Sequence, residues 1–187
     1  MNDFELALLD EREYAEFTRE MQKAFQHGYE EEFGHCDSPI LPERDISDTL
    51  NAVGSVAYIA KVDGQMVGGA IVKIDPETQH NSLELLFARV GAQNKGVGLL
   101  IWHGIEKLYP ETRVWETCTP YFEKRNIHFY VNRCGFHIVE FFNPWHKDPN
   151  EKDEPIGGMS DEAGQYFLRF EKVALLSFPW VEPGFRR

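Results

Sequence analysis

No apolar run in this chain is long enough to cross a bilayer. The densest, Val97 to Trp102, falls far short of the roughly 20 residues a span requires. No charged-then-apolar leader opens the sequence either, and acidic residues are scattered from Asp3 onward. No membrane association is expected. Cysteine is scarce: Cys36, Cys118 and Cys134 are an odd set with no CxxC spacing. That argues against a disulfide framework and for free thiols in a reducing compartment, so a cytoplasmic protein is expected. The histidines form no HxxxH or HxH pair and no Asp/Glu/Cys cluster supports them, so no metal is expected. Neither GxGxxG nor GKS/GKT occurs, which removes the standard dinucleotide and nucleotide-triphosphate loops. Internal repeats and low-complexity tracts are missing. Basic residues are outnumbered, 19 against 31 acidic ones, for a net charge of −12. A field of that sign repels nucleic acid.

What the 187 residues do contain fits one domain with a sizeable core. The charge is uneven. Residues 1–50 carry 14 acidic and 4 basic side chains, whereas residues 61–140 carry 9 of each. The acidic first quarter is either a solvated face or the approach for a cation.

Periodicity outlines the elements. Residues 2–9 read as a short strand. Glu11 to His27 reads as an amphipathic helix, with Tyr14, Phe17, Met21 and Phe25 on one face and Gly28 as its stop. An acidic loop with Glu30, Glu31 and Glu32 follows. Pro42 opens a second helix. Ser55–Val62 and Gln65–Ile74 form a hairpin about Asp63-Gly64, a pair suited to the positive φ of a tight turn. Ser82–Val90 is a mostly apolar inner strand. A glycine loop, Gly91–Gly98, opens a helix that Pro110 ends. The strand Arg113–Thr119, a helix Pro120–Arg133 capped by Gly135, and the strand Phe136–Phe142 come next. A long polar loop, Asn143–Gly164, carries Trp145 and His146, and Tyr166–Val173 closes the fold. The order predicts an α/β (α+β) architecture with a mixed sheet of about seven strands and about four helices.

The stretch Ser82–Leu108 carries the chemistry. A buried strand enters a loop and the loop enters a helix N-terminus, where main-chain N–H groups lack partners and the helix dipole is positive. A pyrophosphate could rest there, with Lys95 adding a positive charge. Physical argument alone yields an anion site, or a glycine turn that merely packs.

The pattern Gln93-x-x-Gly96-x-Gly98, lying after a strand and before an amphipathic helix, resembles the acetyl-CoA motif of the GNAT superfamily of acyl-CoA N-acyltransferases. The Asp63-Gly64 hairpin with Gly68, the segment Asn126 to Phe136 ending in Gly-Phe, and the strand Tyr166 to Lys172 extend the resemblance over residues 2–173. It divides the chain into a transferase domain, 1–174, and an extension, 175–187.

The resemblance implies a GNAT fold and transfer of an acetyl group from acetyl-CoA to a primary amine. It implies that Phe87 and Ala88 meet the pantetheine and thioester. It further implies that Gln93, Asn94, Lys95, Gly96, Val97, Gly98 and Leu99 hold the pyrophosphate, and that Asn126 and Phe129 face the cofactor from the late helix. Tyr130 is the implied acid for the departing thiolate. It stands five residues before Gly135 where the family tyrosine usually stands four before, a position that Val131 holds here; a buried core aromatic is the other reading. Glu84 is the candidate base, placed by alternation on the face of Ala88, or else the partner of a basic neighbour.

Glu30, Glu31 and Glu32, with Asp37, are the expected attractants of a small cationic acceptor. Cys118, without an activating base, reads as a buried thiol. Two alternatives stay open: a sensor or scaffold that binds acetyl-CoA without transfer, and a protein N-acetyltransferase. The apolar tail 175–185 either packs on its own domain or forms a homodimer contact.

Overall fold

The computed structural model describes residues 3–93, 95–149 and 163–174. Seven strands form one mixed sheet: β1 (Phe4–Leu8), β2 (Ser55–Val62), β3 (Gln65–Lys73), β4 (His80–Ala88), β5 (Val114–Pro120), β6 (His137–Phe142) and β7 (Phe167–Val173). They lie in the order β1-β2-β3-β4-β5-β7-β6. All neighbouring pairs are antiparallel except β4 with β5. The helices are α1 (Tyr14–Phe33), α2 (Glu43–Asn51), α3 (Val97–Leu108) and the short α4 (Lys124–His128), which runs directly into a π-helical turn, Phe129–Cys134.

Two clusters fix the layers. On one face Ile101, Trp102 and Ile105 of α3 and Tyr130, Cys134 and Phe136 pack on Tyr58, Ala60, Ala70, Val72 and Leu83. On the other, Phe17, Met21 and Ala24 of α1 and Ile46 of α2 pack on Ile59, Ile71 and Phe87. Burying these side chains on both faces is the main driving force for a sheet sandwiched by helices.

Three of the boundaries that differ from the sequence reading bear on the site. The first helix does not stop at Gly28; it runs on to Phe33 and ends at Gly34, whose φ is 83° and whose N–H bonds to Glu30 O at 2.9 Å. Its last turns gain tertiary partners: Tyr29 and Phe33 pack on Phe122 with ring centroids 5.7 and 4.9 Å apart. That packing outweighs the roughly 1 kcal/mol that a mid-helix glycine costs. Glu30, Glu31 and Glu32 are therefore helical, not in a loop.

β4 begins two residues earlier than expected. Asn81 is buried with both polar ends satisfied, its Nδ2 donating to Thr112 Oγ1 at 2.7 Å and its Oδ1 accepting from Asp75 N at 2.8 Å. The late helix begins at Lys124 rather than Pro120, and its second half is π-helical.

Candidate active site

β4 and β5 pair only at His80–Val114, Asn81–Trp115 and Ser82–Glu116. Beyond that point they part. Thr117 closes the vertex, its buried hydroxyl donating to Leu83 O at 2.8 Å. The parting coincides with a β-bulge. Leu83 pairs with Val72 and Leu85 with Ile71, so Glu84 is skipped within the ladder that runs from Ser82 to Ala88 along β3. A bulge bends its strand away from a flat ladder, which opens the neighbouring edge.

The bulge also corrects the face assignment. Leu83, Leu86 and Ala88 pack with the α3 cluster, whereas Glu84 opens into a cavity with Asp45, Asp48 and Thr49 of α2. Glu84 and Ala88 lie on opposite faces because the extra residue breaks the alternation.

Two cavities flank the parted strands. The first, of about 590 Å³, is lined by Leu86, Phe87 and Ala88 of β4, by Gln93, Gly96, Val97, Gly98 and Leu99, by Asn126 and Phe129, and by Ala24, Phe25 and Gly28 of α1. It gathers nearly all of the residues expected to meet the cofactor. Lys95 is exposed on the same loop and does not line it; Asn94 lies outside the described residues.

At the mouth of this cleft stands the N-terminus of α3. Gly96 precedes it with φ 80°, a conformation that favours glycine. No side chain caps the helix and no acidic residue sits in its first turn. The first intrahelical bond is Leu100 N to Gly96 O at 3.0 Å, so the N–H groups of Val97, Gly98 and Leu99 have no partner within the helix. A Cβ at Gly98 would lie 3.4 Å from the Phe129 ring. These features fit an anion such as a pyrophosphate.

The second cavity, of about 740 Å³, lies on the α2 side. It is lined by Glu84 and Cys118 from the parted strands, by Arg44, Asp45 and Asp48, by Lys73, and by Phe142, Lys147 and Asp148 near the sheet edge. Glu84 accepts a hydrogen bond from Ser82 Oγ and makes no ion pair among the described residues. Cys118 is exposed at the cavity wall, not buried as expected; partial desolvation by the wall, with the charge of Glu116, raises its thiol above the ordinary value.

Tyr130 lines neither cavity. Its ring packs on Phe129, Phe136 and Phe170 in the core. Burial pushes its phenol well above the ordinary value. The π-helical turn explains its spacing: a wider turn absorbs one additional residue before Gly135, and Tyr130 O accepts the N–H groups of Gly135 and Phe136.

The acidic run on α1 is placed away from Glu84. Glu31 pairs with Arg125 at 2.5 Å and Glu32 with Lys124 at 3.1 Å, and Glu30 binds Gln26, His35 and the Cys36 N–H. The pairs of Glu31 and Glu32 join α1 to α4. Asp37 meets His35 at 3.1 Å.

Glu123, which the sequence reading passed over, lines the first cleft. Its only signal was a carboxylate directly preceding a basic pair. His80, Glu116 and Glu171 come within metal-ligand reach of one another, but Arg169 occupies them, donating to Glu116 at 2.7 Å and to Glu171 at 2.6 Å.

The sequence model of the Acetyltransferase (GNAT) family matches residues 14–136, and the chain belongs to that family. It is 45% identical over 175 residues to "Uncharacterized protein YrkN" of Bacillus subtilis (strain 168), covering 90% of this chain and 92% of that one. Its fold is shared by the ribosomal-protein-S18-alanine N-acetyltransferase of Escherichia coli, with a TM-score of 0.67, 9% identity, and 96% and 99% of the two chains covered. It is shared likewise by the PaiA N-acetyltransferase of Thermoplasma acidophilum solved with coenzyme A, with a TM-score of 0.61, 12% identity, and 92% and 99% covered. No helix among the described residues is long and apolar enough to cross a membrane.

Proposed function

We propose that this protein carries an acetyl group from acetyl-CoA to a primary amine by direct attack on the thioester. The observation that supports this best is the parting of β4 and β5 beside an uncapped helix N-terminus, with a cavity on each side. In this reading the loop from Gln93 to Leu99, including Asn94 and Lys95, holds the pyrophosphate. Phe87 and Ala88 line the pantetheine's path, and Asn126 and Phe129 close it. A main-chain N–H near Ala88 would polarise the thioester carbonyl.

The acceptor enters from the α2 side as an ammonium. Glu84 takes that proton, directly or through water; the nitrogen bonds to the carbonyl carbon, the carbon–sulfur bond breaks, the nitrogen's second proton passes to water, and Tyr130, reprotonated from water, gives a proton to sulfur. Burial keeps Tyr130 protonated until that transfer. A small acceptor with a cationic end suits Glu84 together with Asp45 and Asp48. The run Glu30–Glu32, with Glu31 and Glu32 paired to α4 and Glu30 bound to Gln26, His35 and Cys36, serves that role less well. A cytoplasmic setting matches the three free thiols.

A second reading, cofactor binding without transfer, draws support from Tyr130 lining neither cavity. A thiol-release assay decides between them, with acetyl-CoA and a panel of polyamines, aminoglycosides, amino acids and peptides bearing free N-termini or lysines. Gly98→Glu is the control, because it sets a carboxylate at the helix N-terminus on ordinary helical backbone. Release with one amine class, absent in the control, supports transfer. Tight binding with no release across the panel supports the sensor, and no binding refutes both.

A further inference from the structure

Glu123 is a half-buried carboxylate inside a cleft read here as the site of a polyanion, and none of the usual structural explanations accounts for it. It precedes α4 but makes no capping hydrogen bond to that helix. It forms no ion pair among the described residues, since the cations beside it are engaged elsewhere, Lys124 by Glu32 and Arg125 by Glu31. The opposing helix leaves room for it. Gly28 lies within α1, where glycine is costly, and a Cβ there would come 3.2 Å from Glu123 Oε1. Glu123 shares the cleft with Phe87, Ala88, Asn126 and Phe129.

We propose that Glu123 is a cofactor-binding residue that engages acetyl-CoA in its protonated form, donating a hydrogen bond to a carbonyl of the pantetheine arm. The inference rests on acetyl-CoA occupying this cleft. A carboxylate there would face the cofactor's own negative charge, whereas a carboxylic acid supplies a donor at no electrostatic penalty. The surroundings favour the acid. Burial is the main influence raising the Glu123 pKa, Glu31 and Glu32 on α1 add to it, and Arg125 opposes it. Other titratable groups near the cleft are His27 on α1, which meets Glu31 at 3.6 Å, and Lys124, His128, Tyr130 and Arg133 on the α4 segment. Binding to the ionised form therefore takes one proton from solvent, and affinity falls as pH rises.

Titration calorimetry of acetyl-CoA binding tests this, in two buffers of different ionisation enthalpy between pH 5.5 and 8. Because the cofactor's phosphates also exchange protons, the readout is the difference between wild type and Glu123→Gln. Wild type should take up more protons per acetyl-CoA bound. Its affinity should fall relative to the Gln variant by up to about 10-fold per pH unit above the Glu123 pKa. Glu123→Ala, which lacks the donor, should bind about 3- to 10-fold more weakly than wild type at pH 5.5. Equal proton uptake in wild type and Glu123→Gln, with parallel pH dependences, would overturn the proposal while leaving the cofactor cleft intact. Failure of all three proteins to bind acetyl-CoA would sink the proposal and the functional reading together.

Discussion

Gly28 and Glu123 show how one residue's size sets another's position. Alanine at position 28 improves helix propensity by up to about 1 kcal/mol, and the far end of Glu123 can move a few tenths of an ångström to admit the methyl. Gly28→Ala should therefore raise stability in urea unfolding while weakening acetyl-CoA binding, because the displaced carboxyl shifts within the cleft. A loss of stability would mean that the carboxyl is held fast. Glu84 carries the opposite kind of prediction. Glu84→Gln keeps the bulge and the shape but cannot accept a proton. Under the proposed mechanism kcat should fall by about 10²-fold or more, with little change in acceptor KM. An unchanged kcat across the pH range would remove Glu84 from the proton path.

At the scale of elements, the C-terminal turns of α1 fasten onto α4. The ion pairs of Glu31 and Glu32 are about half exposed, so the double variant Glu31→Ala, Glu32→Ala should cost no more than about 1 to 2 kcal/mol. It should quicken amide exchange in residues 29–33 and leave acceptor KM unchanged. A raised KM would return these glutamates to acceptor binding. This segment also marks a limit of the sequence. Gly28 and three consecutive glutamates read as a helix end and a polar loop, because the partners that hold them helical, Phe122, Lys124 and Arg125, lie about 90 residues away along the chain. Hydrophobic alternation and the Asp63-Gly64 turn located the central strands, and Gln93-x-x-Gly96-x-Gly98 located the glycine loop that enters α3. Alternation failed at Glu84, since a bulge shifts its phase without leaving a compositional mark. The extra residue near Tyr130 was visible as a count, but only the structure shows it absorbed in a π turn.

For the whole molecule, opposing groups of titrations bound the pH range of stability. Glu20, nearly fully buried, is held below the ordinary carboxylate range by Lys23 and Arg89, and Glu140 by His146 and Arg169. Their contribution is complete above the unfolded value near about 4.3 and is lost as pH falls through the lower folded values. Cys134 runs the other way. Burial pushes its thiol up to about 12, so between about 8.5 and 12 it ionises in the unfolded chain and not in the folded one. Stability should decline across that interval. The urea midpoint should fall below about pH 5 and again above about pH 8.5. Replacing Cys134 with alanine should flatten the alkaline fall, at some cost in absolute stability.

The bulge in β4 separates architecture from chemistry within a single strand. With Glu84 set aside, Leu83, Leu85, Leu86, Phe87 and Ala88 alternate perfectly between the two cores. Glu84 is thus an interpolated letter in a strand that would pack without it. Deleting that one codon should yield a protein that folds cooperatively, with β4 drawn alongside β5 and the passage between the two cavities narrowed. Such a variant would retain the body of the molecule and lose its work.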